Sequence, residues 1–419
     1  MNRDQVARHQ KARLEGAMVE AVARHGFAST TIRELVTLAG VSKSTFYEHF
    51  EGKEDCFLST FDAIMAQLTQ EVGEAYEGAG DARERLLRAL DRFTAIVDER
   101  PEAVAFVTVD SLTLGAAAVA RREKAWEAFE AVARRHLSPA GAGAEVSELT
   151  VRAVVAGTTG VIYRCLRAGR SEDLQGLVEP LIDWAFSYRQ PDSEAVRAAV
   201  AAAERPSAPL PVRDSTAVLP AWEEPPDSPR SRSQLSQQER IIRAAIRVVV
   251  ERGYEALSIP AISATAGTSN QTFYENFKSK RDAFLAGYES VSAGALGQTS
   301  AALERAEDGP EAVGLALRAL SECIAANELY ARLAFFELAA AGPPALDRAD
   351  ETMDLLVSIL ERAKGEGERE EPLPHVVLEA TAAGIWSVIQ REIAHDRRHS
   401  LPEVAGELAR IAVAPLGGG

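Results

Sequence analysis

Cysteine is scarce and badly placed for cross-linking: Cys56, Cys165 and Cys323 are odd in number and far apart. That excludes a disulfide framework and a cysteine-based zinc cluster, and it suits a reducing compartment. Positive charge is also in deficit. With 46 Lys and Arg against 62 Asp and Glu, the net charge is −16, so the molecule does not coat nucleic acid or anionic lipid through bulk electrostatics, and any DNA contact must be local. Residues 1–13 are polar and charged, and no run approaches the ~18 apolar residues needed to span a bilayer; a cytoplasmic protein without a membrane partner is expected. Alternating β-branched strands and hairpin turns are scarce. What is abundant is Ala, Leu, Glu and Arg, with apolar residues recurring three and four apart, so an all-α fold is expected. A chain of 419 residues holds roughly two to four domains at about 100–200 residues each.

Self-similarity orders those domains. Residues 16–64 and 243–291 align without a gap at an offset of 227, with 16 identities in 49 positions. These concentrate in Thr45-Phe46-Tyr47-Glu48 and Thr272-Phe273-Tyr274-Glu275. The same offset pairs Gly115 with Gly342 and Arg121 with Arg348, which suggests duplication of a whole half. Between the halves, residues 206–229 hold seven prolines in 24, a composition that favours extended, semi-rigid chain; Trp222 could dock it. The expected organisation is a first DNA-binding domain over 1–64, a helical regulatory domain over 65–190, a Pro-rich linker over 191–235, a second DNA-binding domain over 236–288 and a second regulatory domain over 289–415.

Local signals give the repeated segment its shape. Leu14, Met18, Val22 and Phe27 mark the apolar side of a helix that stops at Gly26. Thr31 and Glu34 have the spacing of a capping box, ahead of a two-turn helix with Ile32, Leu35, Val36 and Ala39 on its buried stripe. Gly40 ends that helix. Beyond Val41 and Ser42, a second short helix turns Phe46 and Phe50 inward and Ser44, Thr45, Tyr47 and Glu48 outward. This is helix-turn-helix patterning, in which a scaffold helix braces one whose exposed face enters a major groove about 12 Å wide.

The run from Thr31-Ile32-Arg33-Glu34-Leu35 through Ala39-Gly40-Val41-Ser42-Lys43-Ser44-Thr45-Phe46-Tyr47-Glu48-His49-Phe50 to Lys53-Glu54 resembles the DNA-binding region of the tetracycline-repressor (TetR) family. Its second copy, Ala266-Gly267-Thr268-Ser269-Asn270-Gln271-Thr272-Phe273-Tyr274-Glu275-Asn276-Phe277 with Lys280, resembles it again. The resemblance covers about 50 residues per copy; the helical stretches that follow match in length and class alone. It implies that Lys43, Ser44, Thr45 and Tyr47 touch bases or phosphates, that Thr31 caps its helix near the DNA backbone, and that Lys53 meets a phosphate. By position the same holds for Ser258, Asn270, Gln271, Thr272, Tyr274 and Lys280. Ser42, Ser269, His49 and Asn276 complete the expected DNA-facing set, with packing the competing role for His49. Lysine reads guanine or phosphate whereas Asn and Gln suit adenine, each good bidentate contact giving roughly 1–3 kcal/mol of discrimination, so an imperfect palindrome is expected. Pro260 and Ala261 replace Arg33 and Glu34, leaving the second copy without a capping box, and Glu48 and Glu275 put a carboxylate outward. Residues 1–60 carry 8 basic and 8 acidic side chains, residues 230–282 carry 9 and 5, so the second module is electrostatically better suited to DNA.

The resemblance implies a regulator, here expected to be a repressor. Its partners are a double-stranded operator and a small apolar effector, with no cofactor and no metal. One chain supplies both modules as an intramolecular pseudo-dimer, a homodimer of four modules being the alternative. The competing class is a helical ligand-binding or interaction scaffold without DNA contact. No acid, base and nucleophile cluster at a catalytic spacing, so an enzyme is not expected. Phe93, Phe106, Trp126, Phe129, Tyr163, Trp184, Tyr330, Phe335, Phe336 and Trp386 read as core before ligand contacts. The His395/His399 pair reads as a solvated basic stretch, Gly141-Ala142-Gly143 and Gly365-Glu366-Gly367 as turns, and the cysteines as small buried hydrophobes.

Overall fold

In the computed structural model of the chain, residues 3–78, 80–114, 116–137, 146–206, 236–306, 308–363 and 373–416 are described. The linker residues 207–235 with Trp222, both Gly-x-Gly turns and Gly115 lie outside them. The described residues are helical throughout, without a strand, and form two compact units, Met1–Arg189 and Gln190–Gly419.

The first unit opens with α1 (Arg3–Ser29), whose residues Leu14, Ala17, Met18, Ala21 and Val22 are buried. Its regular winding breaks at Gly26, where φ is 80°, a conformation that costs glycine nothing. Next come α2 (Ile32–Ala39), α3 (Lys43–His49) and the long α4 (Lys53–Tyr76). The bundle is completed by α5 (Ala82–Glu99), α6 (Pro101–Thr108), α7 (Ala116–Leu137), α8 (Glu148–Arg167) and α9 (Leu174–Ser187). The expected boundary at residue 64 falls inside α4, which buries Cys56 and Phe57 on the small domain and Leu68, Val72 and Tyr76 in the bundle. Phe57 stacks on Phe106 of α6 with ring centroids 4.0 Å apart, and Asp62 pairs with Arg121 of α7. By length and composition alone α8 is apolar enough to cross a membrane, a property it shares with the core helices of folded domains. Its Val151, Ala153, Val161 and Ile162 are buried against protein.

The second unit begins earlier than expected. Within the expected linker, 191–235, Glu194–Glu204 forms a helix, α10, capped by Ser193. After Pro191 the next proline is at residue 206, and the Ala-rich stretch between them has helix propensity and an apolar stripe of Val196, Ala199, Ala202 and Ala203, all buried. The rest comprises α11 (Gln237–Arg252), α12 (Ile259–Ala266), α13 (Asn270–Asn276), α14 (Lys280–Leu303), α15 (Gly309–Ala326), α16 (Glu328–Arg332), α17 (Pro343–Ala363), α18 (His375–Ala394) and α19 (Leu401–Val413). Helix α10 packs on α15 and α19, where Gly314 leaves room for it: a Cβ there would collide with the Ala199 carbonyl oxygen. As in the first unit, the expected boundary at 288 falls inside the long helix, α14, and Arg348 of α17 pairs with Glu289 at 2.9 Å. The offset that aligns Arg121 with Arg348 also aligns Asp62 with Glu289.

All three cysteines are free and buried, and burial pushes the Cys56 thiol up to about 12 and that of Cys323 to about 11, as inert core residues require. His395 and His399 do not share a helix face, because α18 ends at Ala394 and the chain turns between them at Asp396, whose φ is 59°.

Candidate nucleic-acid interface

Each small domain presents one short helix on a rigid base. In the first, Thr31 caps α2 by accepting from the Glu34 amide at 3.3 Å. The expected capping box is half made, because the Glu34 carboxylate lies 3.1 Å from His25 Nε2 on α1 instead of returning to the Thr31 amide. Gly40 then takes the left-handed conformation, φ 60°, ψ 41°, which closes α2 and aims the chain into α3. Ser42 caps α3 by accepting from the Thr45 amide at 3.0 Å, and the two hydroxyls also bond at 2.9 Å. The second domain repeats this geometry with Ser258 on the Ala261 amide, Gly267 at φ 63°, and Ser269 on Thr272.

Phe46 and Phe273 have no exposure and Phe50 and Phe277 are buried behind them, so the opposite face of each seven-residue helix is forced into solvent. Tyr47 and Tyr274 expose 51% and 62% of their surface, unusual for aromatic side chains in a protein with few aromatics. Lys43, Ser44 and Glu48 share the first exposed face, Asn270, Gln271 and Glu275 the second. The Lys43 ammonium sits 5.9 Å from the Tyr47 ring centroid. Gln271 Nε2 donates to Glu275 at 3.1 Å, which gives the outward carboxylate a partner within its own helix.

Other expected DNA contacts face elsewhere. Lys53 Nζ donates to the carbonyls of Phe27 at 2.9 Å and Ala28 at 3.4 Å and lies 4.3 Å from the Phe27 ring centroid. Lys280 repeats the arrangement on Leu257 O at 2.7 Å and the Tyr254 ring at 5.0 Å. Expected on a phosphate, both ammonium groups instead tie the chain after the first helix, where carbonyls have lost their helical partners. His49 packs beside Phe50 with its Nε2 buried, and Asn276 donates to Thr272 O at 2.8 Å; both are half-buried, turned away from the face carrying the tyrosines. The hydroxyls of Ser42, Thr45, Ser269 and Thr272 are engaged in capping, which leaves each a spare lone pair or proton.

A pair of arginines escaped the sequence reading. Arg13 Nη2 reaches Gly40 O at 3.5 Å, and Arg240 Nη2 reaches Gly267 O at 3.1 Å, so each holds the turn between the two short helices. They stand 227 residues apart, three residues before the aligned segment; extending the alignment backward is the signal that finds them.

The family model for bacterial regulatory proteins of the tetR family matches residues 16–60 and 241–286. The chain is similar to the fatty acid metabolism regulator protein of Bacillus subtilis (strain 168), 27% identical over 81 residues that make up 19% of this chain and 42% of that protein. It is also similar to the HTH-type transcriptional regulator HbdR of Aromatoleum sp. (strain CIB), 29% identical over 96 residues, 23% of this chain and 41% of that one. The matches thus span about two fifths of the length of these relatives. Among solved structures, the transcriptional regulator FadR of Bacillus subtilis in complex with stearoyl-CoA aligns at 17% identity over 42% of this chain and 98% of that one, TM-score 0.38. A TetR family transcription regulator from Marinobacter aquaeolei VT8 aligns at 24% identity over 44% and 97%, TM-score 0.37. Both helix-turn-helix segments thus match the model for bacterial regulatory proteins of the tetR family, so the chain carries two such domains in tandem.

Proposed function

We propose that the protein is a cytoplasmic transcriptional regulator, acting as a repressor, that reads double-stranded DNA with α3 and α13. The observation that carries this reading is the pair of seven-residue helices with buried phenylalanines on one side and an exposed tyrosine among polar side chains on the other. A helix sealed on one side and left polar and aromatic on the other has the form of a major-groove reader. Lys43 and Ser44 offer guanine and phosphate contacts, Asn270 and Gln271 adenine contacts, so the operator is an imperfect palindrome read by one chain as a pseudo-dimer. Thr31 and Ser258, at the exposed N-termini of α2 and α12, add backbone phosphate contacts.

A small apolar ligand between the bundle helices acts as effector and releases the DNA, by binding more tightly to the arrangement that does not fit the operator. The name of the Bacillus subtilis relative is consistent with a fatty-acid-derived effector, a class with the apolar surface such a bundle accepts.

The test is electrophoretic retardation of the DNA upstream of the protein's own gene, with wild type, Tyr47→Ala, Tyr274→Ala and the double variant. A shift for wild type, weakened in each single variant and lost in the double variant, is the expected result. No shift for the folded protein at any salt down to about 50 mM, where phosphate contacts are strongest, favours the helical scaffold instead.

A further inference from the structure

The 227-residue offset sets Asp110 of the first half against Glu337 of the second, and the two units use this acid differently. In the second unit, α16 runs into a π-helical turn over Leu333–Glu337. Wide turns of this kind free a carbonyl and turn side chains out of register. The Phe335 carbonyl accepts from Gln390 Nε2 of α18 at 2.7 Å, and the Phe335 ring stacks on Trp386 of the same helix with centroids 4.1 Å apart. Glu337 projects from the end of the turn. Its Oε2 accepts from the Tyr254 backbone N–H at 2.9 Å, and Oε1 lies 3.4 Å from Arg332 Nε. Tyr254 directly follows Gly253, which ends α11 with φ 80°, so a carboxylate of the regulatory bundle grips the turn that leads into α12 and α13.

Among the described residues, the first unit carries other side chains at these positions. Thr108, Asp110, Thr159 and Tyr163 stand where Phe335, Glu337, Trp386 and Gln390 stand in the second. The chain there leaves α6 for a 3-10 turn, Asp110–Leu114. The Asp110 side chain is one methylene shorter, and among the described residues it makes no hydrogen bond or ion pair.

We propose that Glu337 is a positioning residue that locks the second helix-turn-helix domain to its own bundle, with the π turn relaying the position of α18 to the Gly253–Tyr254 turn, and that the first half lacks this lock. Movement of α18 thereby reaches α13 through hydrogen bonds for which the first module has no counterpart, so the two modules respond unequally to events in their bundles. This goes beyond the assignment of DNA as ligand and does not depend on it.

Hydrogen exchange of the full chain, resolved to the Tyr254 amide and read without DNA, tests the proposal. Glu337→Ala removes the acceptor and should speed exchange at Tyr254 by at least about tenfold, the scale of a charge-assisted hydrogen bond. Glu337→Asp, the residue type of the first half, should behave likewise and covers the case in which the alanine variant does not fold. Glu337→Gln keeps an acceptor oxygen and should keep most of the protection. Amides of Ile246 and Phe284, both fully buried, should be unchanged in all three. Gln390→Leu touches neither Tyr254 nor Glu337, yet should also speed the Tyr254 amide. Exchange at Tyr254 that is unaltered by Glu337→Ala and Glu337→Asp, or that rises only in step with Ile246 and Phe284, overturns the lock. No change at Tyr254 in Gln390→Leu overturns the relay.

Discussion

Tyr47 and Tyr274 stand in solvent while Phe46 and Phe273, their neighbours in sequence, are sealed; one position along a helix separates the core from the exposed face. An exposed ring contributes little to stability, so Tyr47→Ala and Tyr274→Ala should each shift it by less than about 0.5 kcal/mol. Each should nevertheless weaken DNA binding about tenfold, which paired thermal melts and binding titrations check. Lys53 is the opposite case. Its ammonium holds the Phe27 and Ala28 carbonyls, so Lys53→Gln should cost roughly 1.5–3 kcal/mol of stability. The dependence of log affinity on log salt should keep its slope, whereas a slope shallower by about 0.9 would put Lys53 on a phosphate. Asp110 titrates near neutrality because burial pushes it up from 3.8 to about 7. The native state then holds its proton to higher pH than the unfolded chain, so this residue's contribution to stability is fully present below about pH 4 and is lost as pH rises through about 7. Asp110→Asn should therefore be more stable than wild type at pH 8, by at most about 4 kcal/mol, and should match it near pH 4; denaturant midpoints at the two pH values decide.

Short helices joined by tight turns are set by local chemistry, and that is why α2, α3, α12 and α13 were legible in the sequence from Thr31, Gly40, Ser42 and the Phe46/Phe50 spacing. What was not legible depends on elements brought together by folding. Glu34 has the right spacing for a capping box but finds His25 of α1. Lys53 lies at a helix N-terminus, a natural phosphate site, but finds carbonyls 25 and 26 residues back. The π turn and its Gln390 partner carry no periodic signature. Helix α10 was overshadowed by the prolines that follow it. The two left-handed glycines permit a further comparison at this scale. A Cβ on Gly40 would collide with the Arg13 guanidinium, while one on Gly267 meets nothing within 4 Å. Both substitutions by alanine carry the left-handed cost of roughly 1–2 kcal/mol. Gly40→Ala should exceed Gly267→Ala because Arg13 must also release Gly40 O, a difference that chemical denaturation measures.

At the scale of the chain, the two repeated modules differ in the residues on the exposed faces of α3 and α13, in the link at Glu337, and in the use of α10. The second unit takes a helix from the stretch between the repeats. Leu87 stands in the first half where Gly314 makes room for Ala199 in the second. Gly314→Leu should unseat α10 and cost the second unit roughly 1–3 kcal/mol by overpacking, with amide protection in the first unit unchanged. The central claim, that α3 and α13 both read DNA, is tested most directly by footprinting the full chain on its operator at low salt. Two unequal half-sites should be protected by wild type, one being lost in Tyr47→Ala and the other in Tyr274→Ala. A folded protein that protects no DNA, or whose footprint survives both substitutions together, would contradict it.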